Sequence, residues 1–159
     1  MTAADAPVLL HADDATFIRA PESLVYRRMT DLASWPVWWP GCEVMALPHT
    51  SLPEPSGERF AVRLRAGRGR RLACTVRPHG WRHDLGVVLA LEGDLLGRAE
   101  LWLEPSRGGT VVHQVLAATT PLPRPLRVLA AYRRALRTGL WGLKDLLQME
   151  VRTSVGLTP

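Results

Sequence analysis

Outside its carboxylates and basic residues, the 159-residue chain has few side chains able to do chemistry: five histidines (His11, His49, His79, His83, His113), Cys42, Cys74, Tyr26 and Tyr132. The histidines form no His-x-His pair, and neither cysteine sits in a Cys-x-x-Cys motif or a zinc-spaced Cys/His cluster. No metal site is therefore expected, and both cysteines read as buried thiols. A Gly-x-Ser-x-Gly elbow is missing, so serine-hydrolase chemistry has no support. Gly67-Arg68-Gly69 has glycines but no helix pattern after it, which argues against a phosphate loop. His83 is the candidate catalytic residue. Alternation puts it on an inward strand face between Trp81 and Leu85. There it is either a core histidine hydrogen-bonded to a neighbour or a donor or general base with its pKa lowered by apolar surroundings. Cys74 and Gln114 are expected beside each other on adjoining strands.

The elements that must position these groups follow from periodicity. Residues 15–20 form a short β-prone run. Pro21 and Glu22 suit a first helical turn, and a second short turn follows over 32–35, capped by Asp31 and ended by Pro36. From Cys42 onward the period becomes two. Phe60, Val62 and Leu64 alternate with Arg59, Arg63 and Arg65; Leu72, Cys74 and Val76 alternate with Arg71, Thr75 and Arg77. Pro78-His79-Gly80 is expected to turn the chain into a strand with Trp81, His83, Leu85, Val87, Leu89 and Leu91 on one face. Ala99, Leu101 and Leu103 oppose Glu100, Trp102 and Glu104. Either face of the strand over 110–119 can be the inner one. Turns are expected over 49–57, at 67–69, 92–94 and 107–109.

The last stretch, 126–152, has sustained helical periodicity. Leu129, Leu136, Leu140, Leu143, Leu147 and Val151, with Tyr132, share one face, and such a helix must bury it against something large. Gly139 and Gly142 each cost about 1 kcal/mol against alanine inside a helix. They imply either the close approach of a strand or space left for a ligand. Three of the six tryptophans, Trp35, Trp38 and Trp39, fall within five positions. Pro36 and Pro40 make this an ordered aromatic loop, as a lid over the core or a wall of an apolar pocket.

Composition bounds the rest. With 47% hydrophobic residues, the chain is read as one domain over 1–159 with a frayed start over 1–12. No apolar run reaches eighteen residues, so no membrane span is expected. The start lacks a basic region followed by an apolar block, which points to the cytoplasm. Lysine occurs once and arginine 19 times, the mark of a G+C-rich genome more than of nucleic-acid binding. Arg59, Arg63, Arg65, Arg71, Arg77 and Arg82 form a basic outer face that acidic residues are expected to intersperse.

The order of elements, the Asp-Leu-x-x-Trp-Pro-x-Trp-Trp-Pro segment over 31–40, the Trp-x-Leu-Glu-Pro and Gly-Gly-Thr motifs over 102–110, and Gly-Leu-Lys over 142–144 resemble the START-like (SRPBCC) superfamily. This is the helix-grip group of polyketide cyclases/dehydrases and lipid-transport proteins. The resemblance implies an α+β, Bet v 1-like fold: an antiparallel sheet of six to seven strands curled around the long C-terminal helix, with two short helices after the first strand. It also implies a cavity for a lipid, polyketide or quinone-like ligand between sheet and helix. The expected wall is Trp35, Trp38, Trp39, Phe60, Val62, Cys74, Trp81, His83, Leu85, Gln114, Tyr132, Leu136 and Leu140. The expected partner is a small hydrophobic ligand, with no cofactor and no nucleic acid, in a monomer or homodimer. Two alternatives stand beside binding: a polyketide aromatase/cyclase, and an interaction module whose cavity is filled with side chains.

Overall fold

A computed structural model describes residues 6–48 and 57–156, so most of the expected turn over 49–57 lies outside the described residues. Strand β1 (Leu10–Ile18) is followed by helix α1 (Glu22–Thr30), a 3-10 turn (Leu32–Ser34), the one-turn helix α2 (Trp35–Trp38) and strand β2 (Cys42–Ala46). Strands β3 (Phe60–Ala66), β4 (Arg70–Arg82), β5 (Gly86–Gly93), β6 (Leu96–Ser106) and β7 (Gly109–Thr119) then lead to helix α3 (Pro125–Gly156). All seven strands join one antiparallel sheet in the order β1-β7-β6-β5-β4-β3-β2. Helix α3, 32 residues or about 48 Å long, packs against this sheet. Its buried face is Val128, Ala131, Tyr132, Ala135, Leu136, Gly139, Leu140, Leu143 and Leu147.

The first strand starts earlier than expected. Leu10 and Ala12 are buried in β1, paired with Ala118 and Leu116 of β7, so the tail of the frayed start belongs to the sheet. Asp31 makes no side-chain cap; Ser34 Oγ instead donates to the Asp31 carbonyl at 2.8 Å. Pro36 does not end the second turn. It occupies the first turn of α2, where its missing N–H leaves no bond unmade. On β7 the inner face is Thr110, Val112, Gln114, Leu116 and Ala118.

The largest departure from expectation lies between β4 and β5. The chain does not turn at Pro78-His79-Gly80. Strand β4 runs through these residues to Arg82, and its pairing with β5 shifts register between His79 and Arg82. Gly80 has φ +60°, the left-handed conformation that lets a strand carry an irregularity at little steric cost. The turn falls at His83-Asp84-Leu85, closed by the Leu85 N–H donating to the Arg82 carbonyl at 2.9 Å. Val87, Leu89 and Leu91 of β5 face inward as expected, while Trp81, His83 and Leu85 precede that strand and face solvent.

Candidate functional site

The site is built where α2, α3 and the concave face of the sheet meet. Trp35, Trp38 and Trp39 are 5%, 7% and 6% exposed. Trp38 and Trp39 stack with centroids 5.7 Å apart, and Trp35 tilts against Trp39 at 5.4 Å. The Trp35 indole N–H donates to the Met29 carbonyl at 2.9 Å, and that of Trp39 to the Ala135 carbonyl of α3 at 3.0 Å.

The two helix glycines are explained here. A Cβ at position 139 would lie 2.4 Å from the Trp39 ring, and one at position 142 only 1.8 Å from the Trp38 carbonyl oxygen. Close approach is the reason for both, made by the tryptophan segment and not by a strand. Backbone meets backbone at Gly142, so no side-chain rotation relieves a substitution there.

Beside this contact lies a cavity of about 60 Å³. Its wall includes Trp35, Trp38 and Trp39; Val62, Leu64, Leu72, Cys74 and Val76 from β3 and β4; Leu89, Leu91, Leu95, Ala99 and Leu101 from β5 to β6; Gln114; and Tyr132, Leu136, Leu140 and Leu143 from α3, with Met29 of α1. Of the expected wall, Trp35, Trp38, Trp39, Val62, Cys74, Gln114, Tyr132, Leu136 and Leu140 line it. Phe60, the first residue of β3, is buried opposite Ala46 and Val76 and is not one of the lining residues. Inward alternation alone marked Leu64, Leu72, Val76, Leu89, Leu91, Ala99 and Leu101, a signal sufficient to have added them.

Trp81, His83 and Leu85 take no part. Trp81 and Leu85 are each 49% exposed, and the His83 side chain is 87% exposed. Its Nδ1 lies 3.3 Å from Asp84 Oδ2 and its ring 5.3 Å from that of Tyr26. The cause is the turn at 83–85: a period-two reading carried across it assigns faces to residues that are not in a strand. Cys74 and Gln114 are not on adjoining strands either, because β5 and β6 lie between β4 and β7. They face the same cavity from two sides.

Inside, polar groups are sparse. Gln114 Nε2 donates to the Tyr132 hydroxyl oxygen at 2.9 Å, while Gln114 Oε1 and the Trp38 indole N–H are buried with no hydrogen-bond partner among the described residues. Among the described residues the titratable groups of the wall are Cys74 and Tyr132. Burial raises the pKa of both, and backbone N–H groups at Leu95 and Asp94 only partly offset this for Cys74. Behind the wall, burial and then the nearby Glu43 carboxylate push the Cys42 thiol up to about 12.

The outer face carries the arginines. Arg65 of β3 stands directly opposite Arg71 of β4. Among the described residues the ion pairs are Arg28–Glu150, His83–Asp84, Arg98–Glu100, His113–Glu104 and Arg133–Asp14. None involves the six arginines of the expected basic face, and Arg82 lies 5.9 Å over the Trp102 ring.

No family model and no curated protein matches this sequence. Solved structures do. The Zhui aromatase/cyclase from Streptomyces sp. R1128 superposes with a TM-score of 0.74 at 12% identity, over 92% of this chain and 98% of that one. A START superfamily protein from Mycobacterium smegmatis gives 0.68 at 14% identity, over 87% and 97%. The di-domain aromatase/cyclase StfQ of the steffimycin biosynthetic pathway gives 0.69 at 14% identity, over 91% of this chain and 52% of that one; the chain spans about half of StfQ's length. The chain therefore has the helix-grip fold of these structures, with seven strands around its C-terminal helix. Among the described residues no helix is long and apolar enough to cross a membrane.

Proposed function

We propose that this protein binds a small hydrophobic or aromatic ligand in the cavity between the sheet and α3. The observation that carries this reading is the composition of the wall. Side chains from α1, α2, α3 and five strands converge on one space, and all but a few of them are apolar. Such a wall favours an apolar ligand through the area it takes out of water. A cyclisation by aldol chemistry needs a base to take a proton from a methylene group. The wall's Cys74 and Tyr132 are held in their protonated forms at neutral pH, and His83 is on the outer surface. This supports binding over an aromatase/cyclase activity such as that of the structural neighbours Zhui and StfQ.

The space has a size consequence. A dry cavity that admits benzene measures about 150 Å³, so at about 60 Å³ a ring-sized ligand enters only as lining side chains move. The half-buried Leu64 and Cys74 are the members of the wall with room to do so. An interaction module with a side-chain-filled interior is the second reading, and the small volume is the observation in its favour.

Native mass spectrometry of the purified protein, repeated after denaturing extraction, tests the proposal. A small apolar molecule that copurifies, is released on denaturation and alters tryptophan emission when titrated back is the expected result. An empty protein whose emission ignores fatty acids, quinones and aromatic polyketides would overturn it in favour of a surface partner.

A further inference from the structure

Two buried polar atoms of residues that line the cavity have no partner among the described residues, and they are of opposite kind. The Trp38 indole N–H is a donor and Gln114 Oε1 an acceptor. Their residues are only 7% and 5% exposed, and both side chains are held from behind. Trp38 stacks on Trp39 while its carbonyl oxygen rests against Gly142. Gln114 is fixed by its bond to Tyr132. Buried groups of this sort are nearly always paired in native proteins, because water lost from them must be replaced. Their partners therefore belong in the space that both residues line.

The chemistry of those partners is constrained. Among the described residues no arginine, lysine, histidine or carboxylate lines the cavity, so a ligand carboxylate, phosphate or ammonium would be stripped of water with no opposite charge to meet it. An N–H donor calls for an oxygen or nitrogen acceptor on the ligand, and a carbonyl oxygen calls for a hydroxyl or N–H. The two groups are held against different turns of α3, Trp38 at Gly142 and Gln114 through Tyr132, so a ligand that uses both carries its polar atoms at two positions. Resting on the ligand-binding reading above, we infer that the cavity selects an uncharged, mostly apolar ring compound bearing a hydroxyl, which donates to Gln114 Oε1, and a second oxygen that accepts from Trp38 Nε1. Gln114 and Trp38 are then specificity-determining residues, and anionic lipids and free fatty acids are excluded.

Equilibrium dialysis of the full chain tests this with 4-methoxyphenol and 6-methoxy-2-naphthol, which carry a hydroxyl and a second oxygen, their methyl ethers, and the matching carboxylates, 4-methoxybenzoate and 6-methoxy-2-naphthoate. The phenols are expected to bind about tenfold more tightly than the ethers, the scale of one buried hydrogen bond, and the carboxylates not to bind measurably. Gln114→Leu should bring the phenols down to the affinity of the ethers. Gln114→Met, which keeps length and volume, serves the same purpose where the leucine variant does not fold. Trp38→Phe should weaken phenols and ethers alike, since both carry the methoxy oxygen that the indole N–H uses. Equal binding of phenols and ethers to the wild type, a preference that survives loss of Gln114, or tight binding of the carboxylates would overturn the inference while leaving the binding function standing. Failure of all six probes to bind would overturn both.

Discussion

Two tryptophan-bearing segments of this molecule lie in opposite situations. Trp35, Trp38 and Trp39 are pressed between sheet and helix, with two of their three indole N–H groups bonded to backbone carbonyls. Trp81, at the end of β4, is half exposed beside a tight turn. Residue type does not separate them, since all four rings are equally apolar. What separates them is the backbone opposite. Gly139 and Gly142 strip α3 of side chains where Trp38 and Trp39 arrive, whereas the irregularity at Gly80 and the turn at His83-Asp84-Leu85 carry Trp81 past the edge of the concave face. A tryptophan is core here when a neighbouring element has left space for it.

That contrast can be broken or sharpened experimentally. The largest effect is expected from Trp39→Ala, about 3–5 kcal/mol of lost stability in urea unfolding, against less than about 1 kcal/mol for Trp81→Ala. Similar losses from both would remove the distinction. Next comes Gly142→Ala. Helix propensity alone would stabilise this variant by about 1 kcal/mol, but the added methyl meets the Trp38 carbonyl, and a net loss of about 1–3 kcal/mol is expected. A more stable variant would show that the tryptophan segment does not sit against the helix.

A third effect appears with pH. The Cys42 N–H donates to the Trp39 carbonyl at 3.1 Å, directly behind the tryptophan wall. The folded thiol holds its proton up to about pH 12, whereas the ordinary value is 9.0. Between these the unfolded state binds fewer protons than the folded one, so stability is constant below about pH 9 and falls as pH rises toward 12. The raised values of Cys74, Tyr26 and Tyr132 act in the same direction. Stability curves at pH 8 to 11 should show this fall, and Cys42→Val should make it shallower. An unchanged slope in the variant would place the thiol in water.

The smallest effect concerns the outer side of the hairpin whose inner side lines the cavity. Arg65 and Arg71 oppose each other as like charges, which disfavours the pairing. Arg71→Glu is expected to raise stability by about 0.2–1 kcal/mol at low salt, with the gain fading at high salt as the new pair is screened. A loss of stability would mean that another group already compensates the pair.

Most of the fold was legible because periodicity is a local signal. Alternation of apolar and arginine residues assigned the faces of β3 and the first half of β4, and three- and four-residue spacing located α3. The cavity was legible to the same degree, since Val62, Cys74, Leu136 and Leu140 follow from those two periods. What periodicity could not carry was an interruption of itself. The left-handed Gly80 lets β4 continue where Pro78-His79-Gly80 suggested a turn, and the error then passed to Trp81, His83 and Leu85 together. The inner face of β7 was undetermined for a different reason: over residues 111–116 each face sets two apolar residues around one polar one, and only packing against Tyr132 distinguishes Gln114 from His113. The glycines of α3 signalled a close approach without naming the element that makes it.

The most direct test of the central claim uses the six indole N–H groups as reporters. In a ¹H–¹⁵N spectrum of the labelled protein titrated with 6-methoxy-2-naphthol, the Trp38 indole signal is expected to move most as its unpaired N–H gains the methoxy oxygen as acceptor. Trp35 and Trp39 should move less, and the exposed Trp81 and Trp141 not at all. Shifts confined to Trp81 and Trp141 would contradict the account, placing the ligand on the outer surface and leaving the cavity between sheet and helix without a role in binding.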